Sequence, residues 1–142
     1  MKHKILIVDD EENVLFIVKQ ALAGHCEVLT APDGESGLEI LKRETPALVF
    51  LDISMPGMSG IKVLELIKAA GLGSVVWMLT GNEDIEVAAH TLKSGASGYL
   101  TKPFEIERIR AVVLSTLTDL EKTKKEAKAE DKPWRVEKKQ SK

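Results

Sequence analysis

Four short apolar runs in this 142-residue chain are each followed, at once or within two residues, by side chains able to do chemistry. Val8 is followed by Asp9 and Asp10, Leu51 by Asp52, Leu79 by Thr80, and Leu100 by Thr101 and Lys102. Carboxylates gathered in one crevice repel one another and need a cation or a proton to coexist. Hard oxygen ligands that leave positions to water suit Mg²⁺ better than Zn²⁺ or a softer metal. A lysine and a threonine facing the same spot add a point charge and a hydroxyl. Together they describe a site for a phosphoryl group, with its oxygens neutralised and one carboxylate free to attack phosphorus.

Taken singly, each residue has a plainer explanation. Asp10, Glu11 and Glu12 open a helical pattern, where the macrodipole favours acids. A Thr or Asp at a strand end commonly forms a turn, and a Lys before Pro is ordinarily a surface residue. None of these explains why all four groups follow strand-like runs. Their meeting depends on the elements that carry them.

Ile5–Val8, Leu48–Leu51 and Val75–Leu79 are continuous apolar runs without alternation, as a parallel strand buried on both faces requires. Cys26–Thr30 and Gly98–Leu100 are weaker and read as edge strands. Helical stripes lie between them. Val14, Ile17, Val18, Ala21 and Leu22 form the first, ended by Gly24. Asp33 caps a second with Leu38 and Leu41 inward; Ser59 caps a third with Val63, Leu64 and Ile67 inward, stopped by Gly71. Ile85, Ala88, Ala89 and Leu92 make a fourth, closed by Gly95, and Ile106, Ile109, Val113, Leu117 and Leu120 a fifth. Five alternations of strand and helix predict an α/β, three-layer, doubly wound five-stranded parallel sheet of order 2-1-3-4-5, the flavodoxin-like arrangement. In such a sheet the polar residues after the strands all lie at the carboxyl edge, where the ligand crevice forms.

Residues 1–120 are expected to form this domain. They carry a net charge of −6, whereas residues 121–142 carry +4. An acidic body argues against direct nucleic-acid binding by the domain. Residues 121–142 read as a charged helical extension or tail, disordered from about Pro133 onward. No apolar run approaches the roughly 20 residues of a membrane span, and the N-terminus lacks a signal-peptide pattern, so a cytoplasmic location is expected. Cys26, the single cysteine, reads as a packed hydrophobe.

Asp9-Asp10, the stretch Asp52-Ile53-Ser54-Met55-Pro56-Gly57-Met58-Ser59-Gly60, Thr80-Gly81, and Tyr99-Leu100-Thr101-Lys102-Pro103-Phe104 resemble the receiver domains of two-component signalling, in order and spacing, over about residues 3–120. The resemblance implies that Asp52 is the phosphoacceptor, attacking a phosphohistidine of a sensor histidine kinase or phosphotransfer protein. It implies Mg²⁺ held by Asp10, Asp52 and the Ser54 backbone carbonyl, with Asp9 acting through a metal-bound water. Lys102 would pair with Asp52 at rest and with a phosphoryl oxygen afterwards. The Thr80 hydroxyl and the Gly81 backbone N–H would meet other oxygens. Tyr99 is similar to the switch aromatic, which turns inward when Thr80 moves.

A downstream protein effector would then read the face of the fourth helix, fifth strand and fifth helix. The domain is expected to be a monomer or a phosphorylation-dependent dimer, and to catalyse only its own phosphorylation and dephosphorylation. Lys102-Pro103 resembles the family's cis peptide, and Ser54 and Asn82 occupy positions that tune phosphoryl lifetime. The leading reading is a phosphorylatable receiver without its own output domain. A receiver fold signalling by contact alone is disfavoured by the intact Asp9, Asp10, Asp52, Thr80 and Lys102. An aspartyl-phosphate phosphatase is disfavoured by Ser54, where such enzymes place an acid. His3, His25 and His90 lack metal-ligand spacing, and no G-x-x-x-x-G-K or G-x-G-x-x-G pattern is present.

Overall fold

The computed structural model describes residues 3–130. Five strands, β1 (Lys4–Val8), β2 (Glu27–Ala31), β3 (Leu48–Asp52), β4 (Val75–Thr80) and β5 (Gly98–Thr101), alternate with five helices. The helices are α1 (Glu12–Leu22), α2 (Gly34–Glu44), α3 (Gly60–Ala69), α4 (Ile85–Thr91) and α5 (Ile106–Glu130), with a 3-10 turn at Asn82–Asp84 leading into α4. All strand pairs are parallel and the order is β2-β1-β3-β4-β5.

The pleat explains why the central runs do not alternate. On β1, Leu6 and Val8 pack with Leu38 and Leu41 of α2 and Val63, Leu64 and Ile67 of α3. Ile5 and Ile7 pack on the other face with Val18 and Leu22 of α1 and Ile109 and Val113 of α5. Both faces exclude water, so every side chain from Ile5 to Val8 and from Leu48 to Leu51 is fully buried.

The expected caps form. The Asp33 carboxylate accepts the Ser36 backbone N–H at 2.8 Å, and the Ser59 hydroxyl oxygen accepts that of Lys62 at 3.3 Å. Gly24 and Gly71, just past α1 and α3, take φ of +86° and +69°.

Two helical stripes differ from expectation. Ile17, predicted inward, is 48% exposed, and its neighbour Phe16 is 64% exposed. On α4 only Ala88 and Thr91 are buried; Ile85 and Ala89 face outward, and Leu92 lies exposed beyond the helix end. The reason is size. Seven residues behind a 3-10 turn make about two helical turns, which cover the sheet with one small residue and a threonine. The fifth helix continues through the charged segment to Glu130, while the tail expected to be disordered from Pro133 lies outside the described residues. Among the described residues no helix is long and apolar enough to cross a membrane.

Candidate functional site

The strand register gathers the chemistry. Val8 pairs with Leu51 and Asp52 with Leu79, so Asp9 leaves β1 beside Asp52, and Thr80 ends β4 one residue beyond that pairing. Thr80 in turn pairs with Thr101, and the Lys102 backbone N–H donates to the Thr80 carbonyl at 2.7 Å. Groups spread from position 9 to position 102 therefore share one rim, the carboxyl edge of the sheet.

Asp9 is fully buried and Asp52 is 4% exposed, whereas Asp10 lies open at the mouth. Carboxylate oxygens of Asp9, Asp10 and Asp52 all lie within 4.8 Å of one another. One Asp9 oxygen, Oδ1, accepts the Glu11 backbone N–H at 2.9 Å. The other, Oδ2, has no well-aligned hydrogen-bond donor among the described residues, although the Lys102 ammonium stands 2.8 Å away as an ion-pair partner.

Lys102 is shared rather than dedicated. Its Nζ lies 2.8 Å from Asp9, 3.2 Å from Glu11 and 3.5 Å from Asp52. The expected resting pair with Asp52 is present, but Asp9 is the nearer partner. Burial alone would lower the Lys102 pKa; hydrogen bonding and charge from Asp9, then Asp52 and Glu11, outweigh it and raise the net value. Asp52 moves the other way from an ordinary carboxylate. Burial first, then the Asp9 charge and a hydrogen bond and charge from Asp10, push its carboxyl up to about 7, against the pull of Lys102. One lysine does not satisfy three acids.

The remaining expected residues surround this centre. The buried Thr80 hydroxyl donates to the Gly81 carbonyl at 3.1 Å. At Gly81 a Cβ would stand 2.7 Å from the Glu83 carboxylate, the far end of a side chain free to swing aside. Tyr99 is half-buried on β5, packed beside the α2–α3 side of the core. Ser54 is exposed, and the loop turns at Gly57 with φ +77°. The Lys102-Pro103 bond is cis.

Two residues were not singled out beforehand. Glu11 was read only as a helix-opening acid, yet its carboxylate accepts a hydrogen bond from Lys102. Gly60 opens α3 so close to β3 that a Cβ there would fall 2.1 Å from the Asp52 carbonyl oxygen, and its N–H donates to the Ile53 carbonyl at 3.0 Å. Its position inside the recognised Asp52–Gly60 stretch was the available signal. This glycine lets the helix sit against the strand that carries the phosphoacceptor candidate.

Comparison with known proteins agrees with this geometry. The family model described as "Response regulator receiver domain" matches residues 5–114. The alkaline phosphatase synthesis transcriptional regulatory protein PhoP of Bacillus subtilis is 35% identical over 119 residues, which is 82% of this chain and 49% of PhoP. The chain thus spans about half the length of that relative. The crystallised receiver domain of NtrX from Brucella abortus aligns with a TM-score of 0.75 at 36% identity, over 80% of this chain and 98% of that one. The chemotaxis protein CheY4 of Vibrio cholerae aligns with a TM-score of 0.74 at 28% identity, over 82% and 99% respectively.

Proposed function

This chain belongs to the response-regulator receiver family of two-component signalling, and from that membership we propose that it carries a phosphoryl group on Asp52 and exposes a changed surface while it does so. The donor is the phosphohistidine of a sensor histidine kinase or phosphotransfer protein. An Asp52 carboxylate oxygen forms a bond to phosphorus as the P–N bond breaks, and the electron pair leaves with the imidazole. Hydrolysis of the resulting acyl phosphate returns Asp52 and inorganic phosphate. The domain is thus a signalling element whose chemistry acts only on itself.

The observation that carries this reading is the buried, lysine-paired Asp52 among two further acids. Attack requires the carboxylate, and a group pushed up to about 7 is only partly ionised at neutral pH. The acids fit a divalent cation. They are hard oxygen donors within 4.8 Å of one another, and Asp9 Oδ2 is buried without an aligned donor among the described residues. Asp10, Asp52 and the Ser54 carbonyl would hold Mg²⁺ directly, with Asp9 reaching it through water. When bound, the ion supplies the positive charge that keeps Asp52 ionised and neutralises phosphoryl oxygens.

Lys102 meets one phosphoryl oxygen through its ammonium. The Thr80 hydroxyl, turned toward Gly81 at rest, rotates to donate to another, and the Gly81 backbone N–H approaches a third. Thr80 vacates space as it rotates, and Tyr99 follows inward. The face read by a protein effector is α4, β5 and α5, on which α4 exposes Ile85 and Val87. Phe16 and Ile17, exposed on α1, offer an apolar seat for the phosphodonor.

The test is a mass measurement. With Mg²⁺ and a small acyl phosphate, the protein gains one phosphoryl group, and Asp52→Ala gains none. A folded wild-type protein that stays unlabelled overturns the assignment.

A further inference from the structure

Glu11 occupies the N-cap position of α1, yet its side chain makes no cap hydrogen bond. It reaches instead to Lys102, which donates to Glu11 Oε1 at 3.2 Å across 91 positions of sequence. We propose that Glu11 is a positioning residue, a resting-state catch that holds the Lys102 ammonium at the mouth of the crevice and gives it up when Asp52 is phosphorylated. The inference rests on the phosphoacceptor role of Asp52 proposed above.

An ammonium has three N–H donors, and at rest three acids surround this one, at 2.8, 3.2 and 3.5 Å. The phosphoryl oxygens stand beyond the carboxylate oxygen that Lys102 meets at rest, so an ammonium that follows them draws away from one of its other two partners. Asp9 is fully buried, and stripping its countercharge leaves an ion without solvent. The Glu11 side chain is 61% exposed, and water replaces the lysine there at little cost. Glu11 is therefore the contact that is surrendered, and the energy of that contact opposes phosphorylation. It sets how readily the switch is thrown without touching the reacting atoms.

Beryllium fluoride, which coordinates a carboxylate as a phosphoryl group does, gives an equilibrium readout. In saturating Mg²⁺, Glu11→Gln is expected to bind it about two- to fivefold more tightly than wild type, the range an exposed ion pair supports. Glu11→Asp keeps the charge but is one methylene shorter, and is expected to match the Gln variant. The deciding comparison uses a Lys102→Gln background. If Glu11 acts through the lysine, Glu11→Gln makes no difference there. An equal tightening in that background reduces Glu11 to simple repulsion of the incoming group and overturns the proposal. So does unchanged or weaker binding by Glu11→Gln in the wild-type background. Failure of the wild-type protein to bind beryllium fluoride at all refutes the Asp52 assignment instead, so the two outcomes are distinguishable.

Discussion

Replacing Asp52 with Asn is expected to make the magnesium-free protein more stable at alkaline pH and to leave its stability almost unchanged in acid. Burial and the neighbouring acids raise the Asp52 pKa from 3.8 to about 7, so the folded state retains this proton where the unfolded chain has lost it. A raised folded-state value stabilises fully below the unfolded pKa and is lost as pH climbs through the folded one. The window therefore runs from about pH 4 to about pH 7, and above it wild type bears the whole cost of a buried anion.

Raising a carboxyl from 3.8 to about 7 corresponds to at most about 4 kcal/mol. The crevice opens beside the exposed Asp10, and water entering there screens part of the repulsion. We expect roughly 1–2 kcal/mol at pH 8, a rise in Tm of about 3–8 °C for a domain of this size. Calorimetry or thermal circular dichroism of both proteins, in chelator, at intervals from pH 4.5 to 8.5 measures it. The gap should open with pH and level off near pH 8. Adding Mg²⁺ should raise the wild-type Tm at pH 8 and narrow the gap, because the cation supplies the missing countercharge. An Asn variant no more stable than wild type at pH 8, or a gap independent of pH, refutes the account of Asp52 as an electrostatically strained carboxylate.

The other predictions concern the support and the approaches of the site. Gly60→Ala forces a methyl group against the Asp52 carbonyl oxygen, a backbone atom that cannot swing aside, and should cost roughly 2–3 kcal/mol; an unchanged urea midpoint shows that α3 can shift freely. Phe16→Ser should slow phosphotransfer from a phosphohistidine protein at least severalfold while leaving labelling by a small acyl phosphate unaltered, because Phe16 is an exposed apolar side chain on α1, the helix that follows Asp9 and Asp10. Equal slowing with both donors rejects α1 as the docking face.

Much of the architecture could be read before any coordinates because two periodicities are hard to mistake. Continuous β-branched runs demand burial on both faces, and Asp33 and Ser59 name their own helix starts with side chains that cap. The crevice was legible for a topological reason: in a parallel sheet every strand ends at the same rim, so the residues after the runs meet whatever their sequence separation. Rotation of a helix is less legible. Val14, Ile17, Val18, Ala21 and Leu22 all fit one stripe, but only Val18, Ala21 and Leu22 are buried, and Ile17 falls outside. The same holds for α4, where shortness rather than pattern decides what is buried.

Glu11 is the instructive miss. At the start of a helix an acid is so ordinary that the macrodipole is enough to account for it. The local rule carried a warning nonetheless. The residues that cap well are Ser, Thr, Asp and Asn, and α2 and α3 use Asp33 and Ser59, whereas α1 begins with a glutamate, whose longer side chain is not a preferred cap. A position that departs from its local preference serves something further away more often than it serves nothing. Here the distant demand is a single ammonium among several acids, and the length of glutamate is what spans the gap to it. On this argument Glu11→Ser, a better cap that cannot reach Lys102, should hold or raise the stability of α1 while reproducing the beryllium fluoride affinity of Glu11→Gln. A variant that caps well yet binds as wild type does would show that the glutamate is there for the helix after all.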